Sequence, residues 1–150
     1  MTEIPESMKL ELGEWNNGRG IDIGSWTGCV GNFSLAVGYS SIFWPSFVAH
    51  RQYILVQGFS EEALRAFESD PDSTRRSIEW VMNHLHVADI QHSECADISS
   101  DKLILLGKRL VEIFAAKLQW QFPDREFVVE FIKPENPDEL MDYQVSFFQK

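Results

Sequence analysis

Ser99-Ser100-Asp101-Lys102-Leu103-Ile104-Leu105-Leu106-Gly107-Lys108-Arg109-Leu110-Val111-Glu112-Ile113-Phe114, closed by Pro123 and followed by Arg125-Glu126-Phe127-Val128-Val129-Glu130-Phe131-Ile132, decides the fold class. Leu103, Leu106, Leu110 and Phe114 form one stripe at helical spacing, which Ile104, Leu105, Val111, Ile113 and Leu118 widen. The pattern predicts a helix from Lys102 to about Phe122, begun by Ser99-Ser100-Asp101 and stopped by Pro123, whose ring cannot continue it. The period then changes to two. Phe127, Val129 and Phe131 alternate with Glu126, Val128 and Glu130, which predicts a strand. Tyr143, Val145 and Phe147 alternate in the same way after the loop 133–138, so the two stretches read as an antiparallel hairpin.

Upstream lie two shorter helical patterns. Ser60 reads as an N-cap for Glu61–Glu68, with two glutamates in the first turn, where the helix dipole favours them. Ser69-Asp70-Pro71-Asp72 reads as a break. A second helix is expected from about Ser73 to Ile90, with Ile78, Val81, Met82 and Leu85 on its buried face. On such a helix Asp89 would project near the apolar face and would need a partner.

The first sixty residues differ in texture, holding 8 of the 9 glycines. They read as strands and turns. Strands are expected near Lys9–Trp15 and Ile21–Trp26, joined at Asn16-Asn17-Gly18, because Asn and Gly tolerate positive φ. Phe33–Tyr39 alternates with a period of two, and Phe47–Val56 resumes after Trp44-Pro45. Strands, then helices, then strands predict an α+β fold, formed by one domain over residues 1–150. A mostly antiparallel sheet from the N-terminal half and the C-terminal hairpin is expected to pack on two main helices on one face.

Composition narrows the function classes. The net charge is −10, with 3 Lys/Arg against 5 Asp/Glu in residues 1–60 and 10 against 18 in residues 61–150. Such a surface repels phosphate backbones and anionic membranes, so neither nucleic acid nor membrane is an expected partner, whereas a basic protein would be attracted. No apolar run reaches the roughly 20 residues of a membrane span. The N-terminal Met1-Thr2-Glu3-Ile4-Pro5-Glu6 carries no basic region followed by an apolar one, so a cytoplasmic protein is expected. Cys29 and Cys95 form no metal or redox pair and read as buried free thiols.

Three of the four histidines fall in Asn83-His84-Leu85-His86-Val87-Ala88-Asp89-Ile90-Gln91-His92, with Glu94 and Cys95 following. On one helix His84 and His86 would point about 200° apart and could not grip one ion together. A metal set of His86, His92 and Glu94 is conceivable if the chain folds back, although the spacing matches no zinc signature. Glu79, Asn83 and His86 would share a stripe, and Glu79 could orient His86 for acid–base work. Seven helical residues put those two about 10 Å apart, too far for a direct bond. The bland alternative has a histidine at the helix C-terminus and Asn83 and Asp89 bonded to nearby backbone. Gly18-Arg19-Gly20-Ile21-Asp22-Ile23-Gly24 superficially suggests a phosphate loop, but a strand-like segment is expected after it where a dinucleotide fingerprint needs a helix.

Two further features suit binding. Trp44, beside Pro45 at a strand break, reads as a partly exposed anchor. Glu135, Asp138, Glu139 and Asp142 form an acidic loop with no basic residue after Lys133, a docking edge for a basic partner. No cofactor is expected. The favoured expectation is a non-catalytic acidic protein-binding module. A bacterial inhibitory or immunity-type protein is one example by analogy. The alternative is a small metal-dependent or acid–base enzyme centred on His84–His92.

Overall fold

A computed structural model describes residues 3–150. The chain runs α1 (Glu6–Gly18), α2 (Ile23–Val30), α3 (Phe33–Phe43), β1 (Phe47–His50), β2 (Tyr53–Val56), α4 (Glu61–Glu68), α5 (Arg75–Met82), β3 (Leu85–His86), α6 (Ser100–Gln121), β4 (Phe127–Ile132) and β5 (Gln144–Gln149). Short 3₁₀ turns lie at Val87–Ile90 and Leu140–Asp142. The fold is α+β, with two small sheets, β1-β2 and β3-β5-β4, in which every strand pair is antiparallel.

The C-terminal half follows the sequence pattern closely. α6 covers the predicted range and buries Leu103, Leu110, Phe114 and Leu118. Gly107 lets it lie close to β4, since a Cβ there would fall 2.1 Å from the Phe131 ring. β4 and β5 form the predicted hairpin, with Val129 opposite Phe147 and Phe131 opposite Val145. β5 is buried on both sides. Val145 and Phe147 pack in the core that includes Leu110 and Phe114 of α6. On the other side the Ser146 hydroxyl donates to the Trp80 carbonyl of α5 at 2.6 Å, and Trp80 packs edge-on to Phe148. Ser60 caps α4 through the Ala63 N–H at 3.1 Å, as predicted, and Thr74 caps α5 in a capping box with Ser77.

The N-terminal third departs from the prediction. Lys9–Glu14, Ile23–Trp26 and Phe33–Tyr39 lie in helices rather than strands. The turn at Asn16-Asn17-Gly18 is there, with φ of 61°, 58° and 81°, but helical segments flank it. Asp22 accepts from the Ser25 N–H at 3.0 Å and Asn32 from the Leu35 N–H at 2.9 Å, so both following segments start with a good cap. The alternation in Phe33–Tyr39 misled because a period of two also contains every i, i+4 pair of a helix. The half-buried residues of α3, Tyr39, Ile42 and Phe43, sit at offsets of three and four. Phe47–Val56 is two strands rather than one, turning at Arg51 with φ of 54°.

The second predicted helix also ends early. α5 stops at Met82, and the chain then pairs with β5 through Leu85 opposite Val145. Asp89 is therefore exposed in a 3₁₀ turn, not held against an apolar helix face. Cys29 and Cys95 are free, but exposed rather than buried.

α1 is tied to the start of α6. The Asp101 carboxylate accepts the Ser7 N–H at 2.8 Å, the Ser7 hydroxyl at 3.0 Å and the Ser99 hydroxyl at 2.5 Å. The Ser7 N–H first, and the Ser99 hydroxyl next, hold its pKa down to about 2. The folded value lies below the unfolded one. Its contribution is therefore complete above about pH 4 and is lost as pH falls through about 2. Denaturation midpoints of wild type and Asp101→Ala should differ at pH 6 and converge at pH 2. An equal gap at both pH values would show that ionisation of Asp101 does not hold α1.

Candidate functional site

The residues named from the sequence fall into three separate places. The first is structural. Glu79 is 0% exposed, and Asn83, the C-cap of α5, is 1% exposed. Glu79 Oε1 accepts the Ile54 N–H of β2 at 2.8 Å, while Oε2 accepts the Gln149 N–H of β5 at 2.7 Å. The Gln149 side-chain amide also donates to Oε1. Asn83 Oδ1 accepts the Val56 N–H at 3.1 Å, and its amide donates to the Ile54 carbonyl at 2.9 Å and the Phe147 carbonyl at 3.4 Å. β3 is only two residues long, so it leaves the outer half of the β5 edge open. Two α5 side chains one helical turn apart fill that gap and join it to the β2 edge. These two acid–base candidates are thus occupied by buried backbone, as buried strand edges require.

His86, His92 and Glu94 do not converge on an ion. His86 Nδ1 bonds the Met141 carbonyl at 2.7 Å, and His84 Nδ1 bonds the Val81 carbonyl in the last turn of α5 at 2.5 Å. His92 and Glu94 are exposed, with His92 Nδ1 3.8 Å from Glu94 Oε2. Among the described residues no three His, Cys, Asp or Glu side chains are placed to hold one metal. His86 instead links β3 to the loop before β5.

That link builds the second place. The 3₁₀ turns at Val87–Ile90 and Leu140–Asp142 pack together, pinned by the Val87 N–H to the Tyr143 carbonyl at 2.8 Å. They floor a cleft of about 500 Å³. Asp138, Glu139 and Asp142 line it, and so do Asp89, Asp97 and His92 from the segment after β3. No Lys or Arg lines it. Asp97 pairs with Lys102, whereas Asp89, Asp138, Glu139 and Asp142 make no ion pair among the described residues. Glu135 is exposed nearby in sequence but does not line the cleft. The rim is internally braced: Asn136 accepts from the Asp138 and Glu139 N–H groups at 3.1 and 3.0 Å, and the Tyr143 hydroxyl donates to the Pro137 carbonyl at 3.1 Å. Such bracing lowers the ordering cost of binding.

Trp44 marks the third place, away from the cleft. It is 49% exposed and packs on Trp120, 69% exposed, with ring centroids 6.2 Å apart. Lys117 Nζ lies 4.9 Å from the Trp44 ring and 4.6 Å from the Trp120 ring. The glycine-containing stretch 18–24 caps and opens α2 and holds no phosphate cradle of the strand–loop–helix kind.

Sequence reasoning missed Asp89 and Asp97 as cleft residues, because the turn that brings them to the acidic loop is tertiary. It also missed the exposed apolar surface of α2 and α3. A signal for that was present: from Ile23 to Ala49 there is no Asp, Glu, Lys or Arg in a chain that is 24% charged. No protein-family model, no curated protein and no solved structure matches the chain. No described helix is long and apolar enough to cross a membrane.

Proposed function

We propose that this chain is a non-catalytic protein-binding module whose acidic cleft receives a basic segment of a partner protein. The observation that carries the reading is the convergence of Asp89, Asp138, Glu139 and Asp142 on one braced cleft with no Lys or Arg in its lining. Like charges gathered without counter-ions raise the local potential, attract a cationic side chain and speed its approach. A cytoplasmic bacterial inhibitor that neutralises a basic protein is the biological role that fits this chemistry, by analogy of charge and size. The acid–base alternative is weakened because Glu79 and Asn83 are committed to β2 and β5.

A labelled Lys/Arg-rich peptide tests the site. Asp138→Lys with Glu139→Lys should weaken its binding about tenfold or more at low salt, mostly through slower association. Glu14→Lys with Glu62→Lys changes the net charge equally at exposed positions that do not line the cleft and should have a much smaller effect. Equal losses in the two double variants would mean that only net charge matters and that the cleft is not the site. Co-purification of a transition metal near one equivalent, lost in His86→Ala with His92→Ala, would favour the metal-enzyme alternative.

A further inference from the structure

His84 and His86 meet because α5 stops early. On a continuous helix their rings would point about 200° apart. The helix ends at Met82 instead, and β5 draws the next residues into extended backbone, with Leu85 opposite Val145 and His86 opposite Gln144. Side chains two residues apart on an extended segment lie on one face. The two rings accordingly stand beside each other, with centroids 5.2 Å apart and planes at 80°.

Their hydrogen bonds fix the tautomers. His84 Nδ1 bonds the Val81 carbonyl at 2.5 Å, and His86 Nδ1 bonds the Met141 carbonyl at 2.7 Å. A carbonyl oxygen only accepts, so each Nδ1 carries the proton and each neutral ring keeps its lone pair on Nε2. Neither Nε2 has a hydrogen bond or an ion pair among the described residues, and neither is an enclosed atom. His84 is exposed and His86 half-buried. This is the state in which an imidazole ligates a metal: the other ring N–H is donated to a backbone carbonyl, which orients the ring and raises the basicity of the ligating nitrogen.

We infer that His84 and His86 together bind one divalent transition-metal ion through their Nε2 atoms. The spacing fits. A ring bound at about 2.0–2.1 Å has its centroid about 3.2 Å from the ion, so two rings at a tetrahedral angle stand about 5.2 Å apart. These two already stand at that separation. Two imidazoles favour zinc, nickel or copper over magnesium or calcium, which take oxygen ligands. No third His, Cys, Asp or Glu side chain among the described residues joins them, so water fills the remaining positions and the ion is exchangeable. The pair is distinct from the set His86, His92 and Glu94. Neither His84 nor His86 lines the acidic cleft, so this site and the cleft function fail separately.

Calorimetric titration of the chelator-treated chain with nickel chloride tests the inference, at about pH 7.5, where imidazole is neutral. The wild type should take up one nickel ion per chain, zinc chloride should compete, and magnesium chloride should give no binding. His84→Ala and His86→Ala should each weaken nickel binding about tenfold or more, whereas His50→Ala and His92→Ala should bind as the wild type does. If His86→Ala loosens the fold, nitrogen-15 spectra of the wild-type histidine rings decide. On adding zinc the Nε2 signals of His84 and His86 should move together while both Nδ1 atoms stay protonated. A wild type that binds no nickel overturns the proposal. So does binding that survives both variants, binding lost in His92→Ala, or a zinc shift confined to one ring. Half an ion per chain would overturn it in favour of an ion bridging two copies.

Discussion

Replacing Glu79 with alanine is expected to cost about 2–6 kcal/mol, enough to leave a domain of ordinary stability partly unfolded. The carboxylate accepts the Ile54 N–H from one sheet and the Gln149 N–H from the other, in a site it shares with no solvent. Alanine would leave both backbone donors buried without an acceptor, each costing about 1–3 kcal/mol. Glu79→Gln should cost less, because one oxygen remains, although its amide would face a backbone N–H. The check is the denaturant midpoint by circular dichroism, with Glu62→Ala, exposed on α4, as a control expected to shift little. A Glu79→Ala midpoint matching that control would show that water replaces the carboxylate and that the two sheets are joined by apolar contact alone. Activity measurements would not discriminate in the same way, since a catalytic Glu79 predicts lost turnover with retained stability.

Leu110→Ala should destabilise by about 2–5 kcal/mol, the usual range for a fully buried leucine. Leu110 is 0% exposed and belongs to the cluster that includes Phe114, Val145 and Phe147. Truncation removes apolar burial and leaves a cavity that the aromatic neighbours, held edge-to-face, fill poorly. Phe114 and Phe147, for example, lie 6.4 Å apart at 88°. The loss appears as a lower midpoint with an unchanged denaturant slope. A midpoint equal to wild type would place the α6 stripe in solvent and remove the basis for the sheet-on-helix core.

The sequence by itself determined the parts whose period is unambiguous. α6 carries a stripe of apolar residues at spacings of three and four from Leu103 to Leu118 and ends before Pro123, so the helix, its buried face and its stop were all legible. The β4–β5 hairpin was legible because Phe127, Val129 and Phe131 face Phe147 and Val145 in a strict period of two. The acidic loop was legible from composition, and so was the half-exposed Trp44. Tertiary structure decided the rest. Whether Phe33–Tyr39 coils or extends is not settled by alternation, because the same residues satisfy both periods, and the Asn32 cap opens the helix. Whether Ser73–Ile90 is one helix depended on β5, which captures Leu85 and draws Asn83 between two strand edges. That capture also turned Glu79 from a catalytic candidate into a splice, and it carried Asp89 round to Asp138 and Asp142. Local spacing specifies which residues share a face. Which face meets which strand edge is set by hydrogen-bonding groups distant in the chain, and those had to be satisfied together before the cleft existed.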